Sequence, residues 1–201
     1  MNNYEVSRDR AQQYFLRFDQ ERLIATWNLK ADSQWIYVAF FGNPYRICRT
    51  SGNIFRCRDG SRADFGEVLS IFDLLCHGGT EKYISGNYAP VNSLKNRPPT
   101  VGVDTGFYAK TAAAFERAPE DFQEACRRLG GIPVPMGDVG FRFPVFGPLS
   151  VILKFYHADE DFPASVTLLW DDETLRFVYY ETVFYMAGVL MEAISEAMKS
   201  I

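Results

Sequence analysis

The spacing of apolar residues along the chain predicts two groups of β-strands. The run from Trp35 to Phe41 is apolar throughout, as expected of a strand that is covered on both faces. Between Leu149 and Trp170, two runs alternate apolar and polar residues with a period of two, and the residues between them have turn composition, which predicts a hairpin. The predicted strands therefore fall in two groups, residues 35–58 and 139–170.

Apolar residues spaced by three and four predict helices within residues 4–28, 65–77, 107–129 and 181–199. The second of these has the clearest limits, because Asp64 and Glu67 form a capping pair before it and Gly78-Gly79 follows it. Together with the strands, these helices predict an α+β fold of mainly antiparallel sheet packed by about five helices. The pattern leaves open whether the two strand groups form one sheet.

The length of 201 residues predicts a single domain over residues 1–201, with a possible subdivision near 80–105. No periodicity holds from Gly78 to Thr105, where Gly, Asn, Ser and the Pro98-Pro99 pair dominate. A long irregular segment is uncommon in a compact domain unless it covers or binds a ligand. Tyr83 and Tyr88 lie within it and are candidate contacts for a small ligand, and the alternative is an irregular segment that only wraps around the domain.

A second hairpin is predicted from Tyr45 to Arg58. A two-residue loop would mix Cys48 and Phe55 with Arg46, whereas a loop of three or four residues sorts the side chains by burial, and we favour the longer loop. The buried face would then carry Tyr45, Ile47, Phe55 and Cys57, and the other face Arg46, Arg56 and Arg58.

This arginine face predicts a site for a small anion or carboxylate, because guanidinium groups bind such ligands through paired hydrogen bonds. Cys48 would lie beside the arginines, where positive charge favours the thiolate. The alternative is an exposed sheet face whose arginines pair with acidic residues of the C-terminal half. The candidate ligand-binding residues are Arg46, Cys48, Arg56, Arg58, Tyr83 and Tyr88.

The turn between the two central strands contains Asp159, Glu160 and Asp161. Hard carboxylate oxygens suit magnesium or calcium, so this turn is a candidate metal site, and a solvated acidic turn is the alternative. Asp171 and Asp172 follow a strand of about seven residues, which spans roughly 20 Å. We therefore expect them at the opposite end of the hairpin, too far away to share a metal with the turn.

The four cysteines, Cys48, Cys57, Cys76 and Cys126, include no C-x-x-C pair, so we expect free thiols and no zinc ribbon or iron–sulfur cluster. Cys76 and Cys126 lie on the apolar faces of predicted helices and should be buried. This leaves Cys48 as the thiol expected in an exposed environment.

The net charge of −4 argues against a nucleic-acid partner. The charge is unevenly distributed, because residues 1–62 have a balance of +4 and residues 157–201 a balance of −7. Either the two ends of the chain pack together or the acidic half meets a protein partner. The sequence has no apolar run long enough for a membrane span and no signal peptide at its start, so we expect a cytoplasmic protein without a membrane partner.

The run DEDFPASVTLLWDD, with YRICRTSGNIF and FQEACRRLGGIPVPMGDVGFRFPVFG before it, resembles a prokaryotic family known as domain of unknown function 3786. The resemblance covers nearly the whole chain. It implies a setting in anaerobic metabolism, because the family is seen mostly in anaerobes. It carries over no catalytic residues, because no activity is settled for the family.

Three functional hypotheses follow. The first is a non-catalytic small-ligand-binding or accessory protein of anaerobic metabolism that holds a small anionic ligand. The second is a metal-dependent enzyme that uses residues 159–161, and the third is a protein-interaction module that acts through the acidic C-terminal half. The sequence predicts no particular cofactor and leaves open whether the protein is an enzyme.

Overall fold

The computed structural model describes residues 3–77, 83–99 and 108–201. The chain divides into two compact units, one of residues 1–83 and 176–186 and the other of residues 84–175 and 187–201. The first boundary lies within the predicted subdivision near 80–105, while the expectation that the chain behaves as one domain stays a prediction. The predicted helix stop at Gly78-Gly79 and parts of the predicted binding loop, residues 80–82 and 100–105, lie outside the described residues.

The first unit combines helices with a four-stranded antiparallel sheet of order β1-β2-β3-β4. Its elements are α1 (Asn3–Leu16), α2 (Gln20–Trp27), β1 (Lys30–Ala31), β2 (Trp35–Phe40), β3 (Asn43–Cys48), β4 (Ile54–Arg56) and α3 (Phe65–Cys76).

The second unit contains a five-stranded antiparallel sheet of order β5-β9-β8-β7-β6. Its elements are β5 (Tyr88–Pro90), α4 (Ala109–Arg117), α5 (Pro119–Arg128), β6 (Ile132–Pro133), β7 (Val139–Phe146), β8 (Leu149–Tyr156) and β9 (Ser165–Asp171). The last helix, α6 (Tyr180–Met198), begins in the first unit and ends in the second. The predicted α+β class is confirmed, and the two strand groups form separate sheets. The short strands β1, β5 and β6 were not predicted.

One face of the first sheet is buried against helices. Alternate residues of β2, β3 and β4 are buried, which are Ile36, Val38, Phe40, Tyr45, Ile47 and Ile54. The ring centroids of Phe15 on α1 and Phe72 on α3 are 4.9 Å apart. Apolar burial on this scale is the main term that stabilises the first unit.

Helices α4 and α5 cover the second sheet through aromatic contacts. The rings of Phe115 and Phe122 stack at 4.2 Å, and both contact Phe155 of β8. Cys126 of α5 and Cys76 of α3 are buried, as predicted. Burial raises the pKa of the Cys76 thiol to about 12 and also raises that of Cys126.

A buried carboxylate joins the first sheet to the start of α3. Glu67 is only 5% exposed and accepts hydrogen bonds from the Tyr45 hydroxyl (2.6 Å) and from Arg56 Nε (2.9 Å). Its second oxygen, Oε2, accepts from Arg56 Nη2 and from the backbone N–H of Asp64, while Asp64 caps the helix in return. Glu67 therefore completes the predicted capping box and also neutralises the arginine of the neighbouring strand.

The predicted sorting of the hairpin residues is wrong. Arg46 pairs with Phe55 across the strands, and Tyr45 pairs with Arg56, so Arg46 and Arg56 lie on opposite faces. The backbone N–H of Cys48 bonds to the carbonyl of Asn53, so four residues lie between this pair, and a loop with an even number of residues gives the mixed arrangement. Sorting the hairpin residues by expected burial predicted the wrong register, because it assumed that no arginine lies on the inner face. The Glu67 carboxylate stabilises a charged Arg56 there. As a further correction, Cys57 is exposed and does not lie in the core.

We expect Glu67→Gln to lower the free energy of unfolding by about 3 kcal/mol, since it leaves the Arg56 guanidinium without its buried counter-charge. The matched control is Glu124→Gln, which removes an exposed carboxylate whose Oε1 lies 3.1 Å from Arg128 and should cost less than about 0.5 kcal/mol. Urea denaturation of the two variants measures the difference. Equal effects of the two substitutions would contradict the stabilising role assigned to Glu67.

Candidate functional site

Arg56, one of the predicted anion-binding residues, is saturated by protein acceptors. Besides its contacts with Glu67, Nη2 donates to Asp64 Oδ2 (2.9 Å), and Nη1 donates to Ser61 Oγ (3.2 Å) and to the carbonyl of Arg62 (2.8 Å). A guanidinium has five N–H donors, and all five of them are used here. Arg56 therefore has a structural role and leaves no donor for a ligand.

Arg46 lies on the outer face of the first sheet against aromatic rings. Its guanidinium carbon is 4.6 Å from the ring centroid of Trp35 and 5.9 Å from that of Phe55. These two rings pack edge to face at 5.8 Å. The arrangement is a cation–π contact, which stabilises a partly exposed arginine without a carboxylate. The predicted arginine face is thus reduced to Arg46.

Three other predicted ligand-binding residues, Arg58, Tyr83 and Tyr88, belong to different elements of the chain. Arg58 is exposed in the turn after β4, and its Nε donates to Asp59 at 3.2 Å. Tyr83 is exposed at the end of the first unit's main segment. Tyr88 belongs to β5 of the second unit, where its hydroxyl bonds to Ser150 Oγ. Their contact with a ligand stays a prediction.

Cys48 is the half-buried thiol at the end of β3, opposite Trp35. Hydrogen bonds from the side chains of Ser51 and Thr50 lower its pKa to about 7. The predicted thiolate character is therefore supported, but hydroxyl donors of the loop are its main cause, where the sequence suggested arginines.

The acidic turn is ordered by its first carboxylate. Asp159 Oδ1 accepts the backbone N–H groups of Asp161 (2.9 Å) and Phe162 (2.7 Å), which is the geometry of an Asx turn. Within residues 3–77, 83–99 and 108–201, no cluster of three or more His, Cys, Asp or Glu side chains is arranged to hold a metal ion. Metal binding by Asp159, Glu160 and Asp161 stays a prediction.

Asp171 and Asp172 lie at the far end of the hairpin, as the strand length predicts. Asp171 is buried and accepts the backbone N–H groups of Ser85 (3.1 Å), Gly86 (2.7 Å) and Glu173 (3.0 Å). Hydrogen bonds from Ser85, and then from Lys95, lower the pKa of Asp172. These carboxylates fasten the segment around residues 85–95 to the end of β9.

The structure shows a cavity in the first unit that sequence reasoning missed. It has a volume of about 390 Å³ and lies between α1, α3 and the residues that start α6. Its apolar wall is formed by Ala11, Leu69, Phe72 and Cys76. Volumes of this size are typical of small-molecule sites, which are concave and mostly apolar.

Polar side chains also line this cavity. His77 Nδ1 is 3.6 Å from Asp73 Oδ1, and the imidazole packs edge to face on the ring of Tyr179 at a centroid distance of 4.1 Å. Asp73 Oδ2 also accepts the backbone N–H of Tyr179 (2.8 Å), which fixes the start of α6 against the end of α3. Arg10 and Thr182 complete the polar lining.

The local sequence offered only part of this arrangement. Asp73 and His77 are spaced by four residues on a predicted helix, which is the spacing of side chains that meet on one face. Tyr179 is 106 residues from Asp73 in the sequence, and no periodicity connects them.

The fold and the cavity define an α+β protein with one antiparallel sheet in each of two units. None of the helices in the described part of the chain is long and apolar enough to span a membrane. The chain belongs to the family described as Domain of unknown function (DUF3786), whose model matches residues 19–193, and the resemblance found in the sequence is confirmed. No curated protein and no solved structure matches the chain.

The Cys48 thiol should react with iodoacetamide at a rate that rises with pH through about 7 and then levels off, because the thiolate is the nucleophile. Thr50→Ala/Ser51→Ala removes both hydroxyl donors and should shift this profile to higher pH. Peptide mapping by mass spectrometry separates Cys48 from the other thiols. An unchanged profile in the double variant would contradict the role given to the hydroxyl groups.

Proposed function

We propose that this protein binds a small, largely apolar carboxylate in the cavity of the first unit. The observation that carries the proposal is a cavity lined both by apolar side chains and by the polar groups of Arg10, Asp73, His77 and Tyr179. An apolar wall supplies affinity through the hydrophobic effect, whereas a few fixed polar groups set the orientation of the ligand. The sequence led to the hypothesis that the protein binds a small anion. We keep that hypothesis and place the site at α1 and α3 in place of the hairpin arginines.

The charges of the lining support an acidic ligand. Both carboxylate oxygens of Asp73 already face protein partners, Tyr179 N–H and the His77 ring. Arg10 has no ion-pair partner within the described ranges, so its guanidinium can meet a ligand carboxylate through paired hydrogen bonds. The side chain of His77 adds a second donor when its ring is protonated.

An accessory role in anaerobic metabolism and a cytoplasmic location belong to the same proposal. Both rest on the family resemblance and on the sequence features described above. A binding role without catalysis is the simplest function for a cavity with a single imidazole and carboxylate pair, and it requires no cofactor.

We expect indole-3-acetate, used as a probe, to bind wild-type protein in saturation-transfer NMR and to bind Arg10→Gln about tenfold or more weakly, because a charge-assisted hydrogen bond contributes about 1.5–3 kcal/mol. The neutral probe indole-3-acetamide should bind the two proteins alike. Arg22→Gln, which changes an exposed arginine of α2, is the matched control and should bind both probes as wild type does.

Filling the cavity gives a second, independent test. Ala11→Phe should abolish binding of both probes, because the added ring occupies part of the 390 Å³ volume. Ala113→Phe, at an exposed position of α4, is its control. Probe binding that survives Ala11→Phe, in a variant that unfolds like wild type, would contradict the cavity as the binding site.

A further inference from the structure

The strongest unexplained surface feature of the second unit is an aromatic side chain at the end of the β8–β9 hairpin. The Phe162 ring is 70% exposed, and Tyr156 beside it is also exposed. Both residues line a groove of about 600 Å³, together with Asp138, His157 and Asp159. We call this feature the acidic aromatic groove. A solvent-exposed aromatic side chain that lines a groove is a common sign of an interaction site.

The backbone of the turn holds Phe162 in place. Asp159 and Phe162 form two hydrogen bonds, one from Phe162 N–H to the Asp159 carboxylate (2.7 Å) and one from Asp159 N–H to the Phe162 carbonyl (3.0 Å). A side chain presented by a closed turn loses little backbone entropy when it binds, which favours affinity. The turn therefore fixes the backbone from which the Phe162 ring projects.

The positions of Asp138 and His157 at the groove are set by hydrogen bonds and by a close backbone approach. The backbone N–H of His157 donates to Asp138 Oδ2 (2.8 Å). The ring nitrogen Nδ1 of His157 lies 2.8 Å from Glu116 Oε2. Gly137, before Asp138, has φ +69°, and a Cβ there would approach the Phe155 carbonyl oxygen to 2.5 Å. Gly137 thus allows the loop to lie close against β8, and this close approach positions Asp138 at the groove.

The charge around the groove is strongly negative. Asp138, Asp159, Glu160 and Asp161 stand at its rim or on its turn, and Asp159 Oδ1 accepts two backbone N–H groups of that turn. The one lysine of β8, Lys154, places its ammonium group 5.1 Å from the ring centroid of Tyr156. This contact shows that a cation is accommodated on an aromatic ring at the groove.

We propose that the acidic aromatic groove docks a basic segment of a partner protein, with lysine or arginine side chains on the Phe162 ring and against the carboxylates of the turn. Charge complementarity selects this occupant, because an anionic partner or an anionic membrane surface would be repelled. The exposed aromatic ring favours a peptide over a simple counter-ion, because a peptide can cover the ring whereas a free cation leaves it exposed to solvent. The proposal concerns the second unit and is independent of the cavity in the first.

The test uses the full chain and a short fluorescein-labelled peptide in which lysine alternates with tryptophan and serine. Fluorescence anisotropy should show binding that weakens at least tenfold between about 50 and 300 mM salt, because screening shortens the range of the attraction. A peptide with glutamate in place of lysine should not bind. Phe162→Ala, which leaves the net charge unchanged, should weaken binding at least fivefold, while Ile132→Ala, at another exposed apolar position, should have no effect.

The electrostatic part is tested separately. Glu160→Gln/Asp161→Asn leaves the backbone bonds to Asp159 in place and should reduce the salt dependence and the affinity. The matched control, Glu120→Gln/Glu192→Gln, removes two exposed carboxylates of α5 and α6 and should bind as wild type does. Equal loss in both double variants would show a response to net charge alone and would overturn the proposal.

Two further outcomes would also overturn it. Binding of the lysine peptide that is unaffected by Phe162→Ala would exclude the groove as the docking site. Concentration-dependent dimerisation in sedimentation velocity that Phe162→Ala abolishes would make a second copy of this chain the occupant in place of a basic partner.

Discussion

The first unit depends on the buried carboxylate of Glu67. Its bonds to Tyr45 and Arg56 connect β3 and β4 to the start of α3, and its bond to Asp64 completes the helix cap. Removing this charge from water is costly, and the cost is offset only because every partner is a directed donor. The fixed start of α3 also sets where Asp73 lies, since six residues of helix carry it about 9 Å further along the axis.

Signals that are local in the sequence predicted the elements well. The capping box at Asp64 and Glu67 marks a helix start that the structure reproduces. The period-two runs gave β8 and β9 with their intervening turn. These signals work because each depends on side chains within a few residues of one another, so no tertiary partner is needed to decide the outcome.

The failures share a physical cause, which is a partner that is distant in the sequence. The sequence pattern placed Arg56 on the outer face, because a burial pattern does not show that Glu67 neutralises its charge. Glu67 lies in the helix that follows the strand. The cavity was missed because Tyr179 meets Asp73 only in the folded chain. Strand β5 is three residues long and takes its conformation from pairing with β9, so its own composition carries no periodicity.

The acidic surplus of the C-terminal half is divided between two different uses. Asp171 and Asp172 serve internal contacts with Ser85, Gly86 and Lys95 and hold the chain around β5. Asp159 accepts hydrogen bonds from its own turn, and Glu160 and Asp161 beside it are exposed. The same composition therefore stabilises one end of the β8–β9 hairpin and leaves a negative field at the other. The charge complementarity on which the proposed basic partner depends is thus confined to the end that presents Phe162.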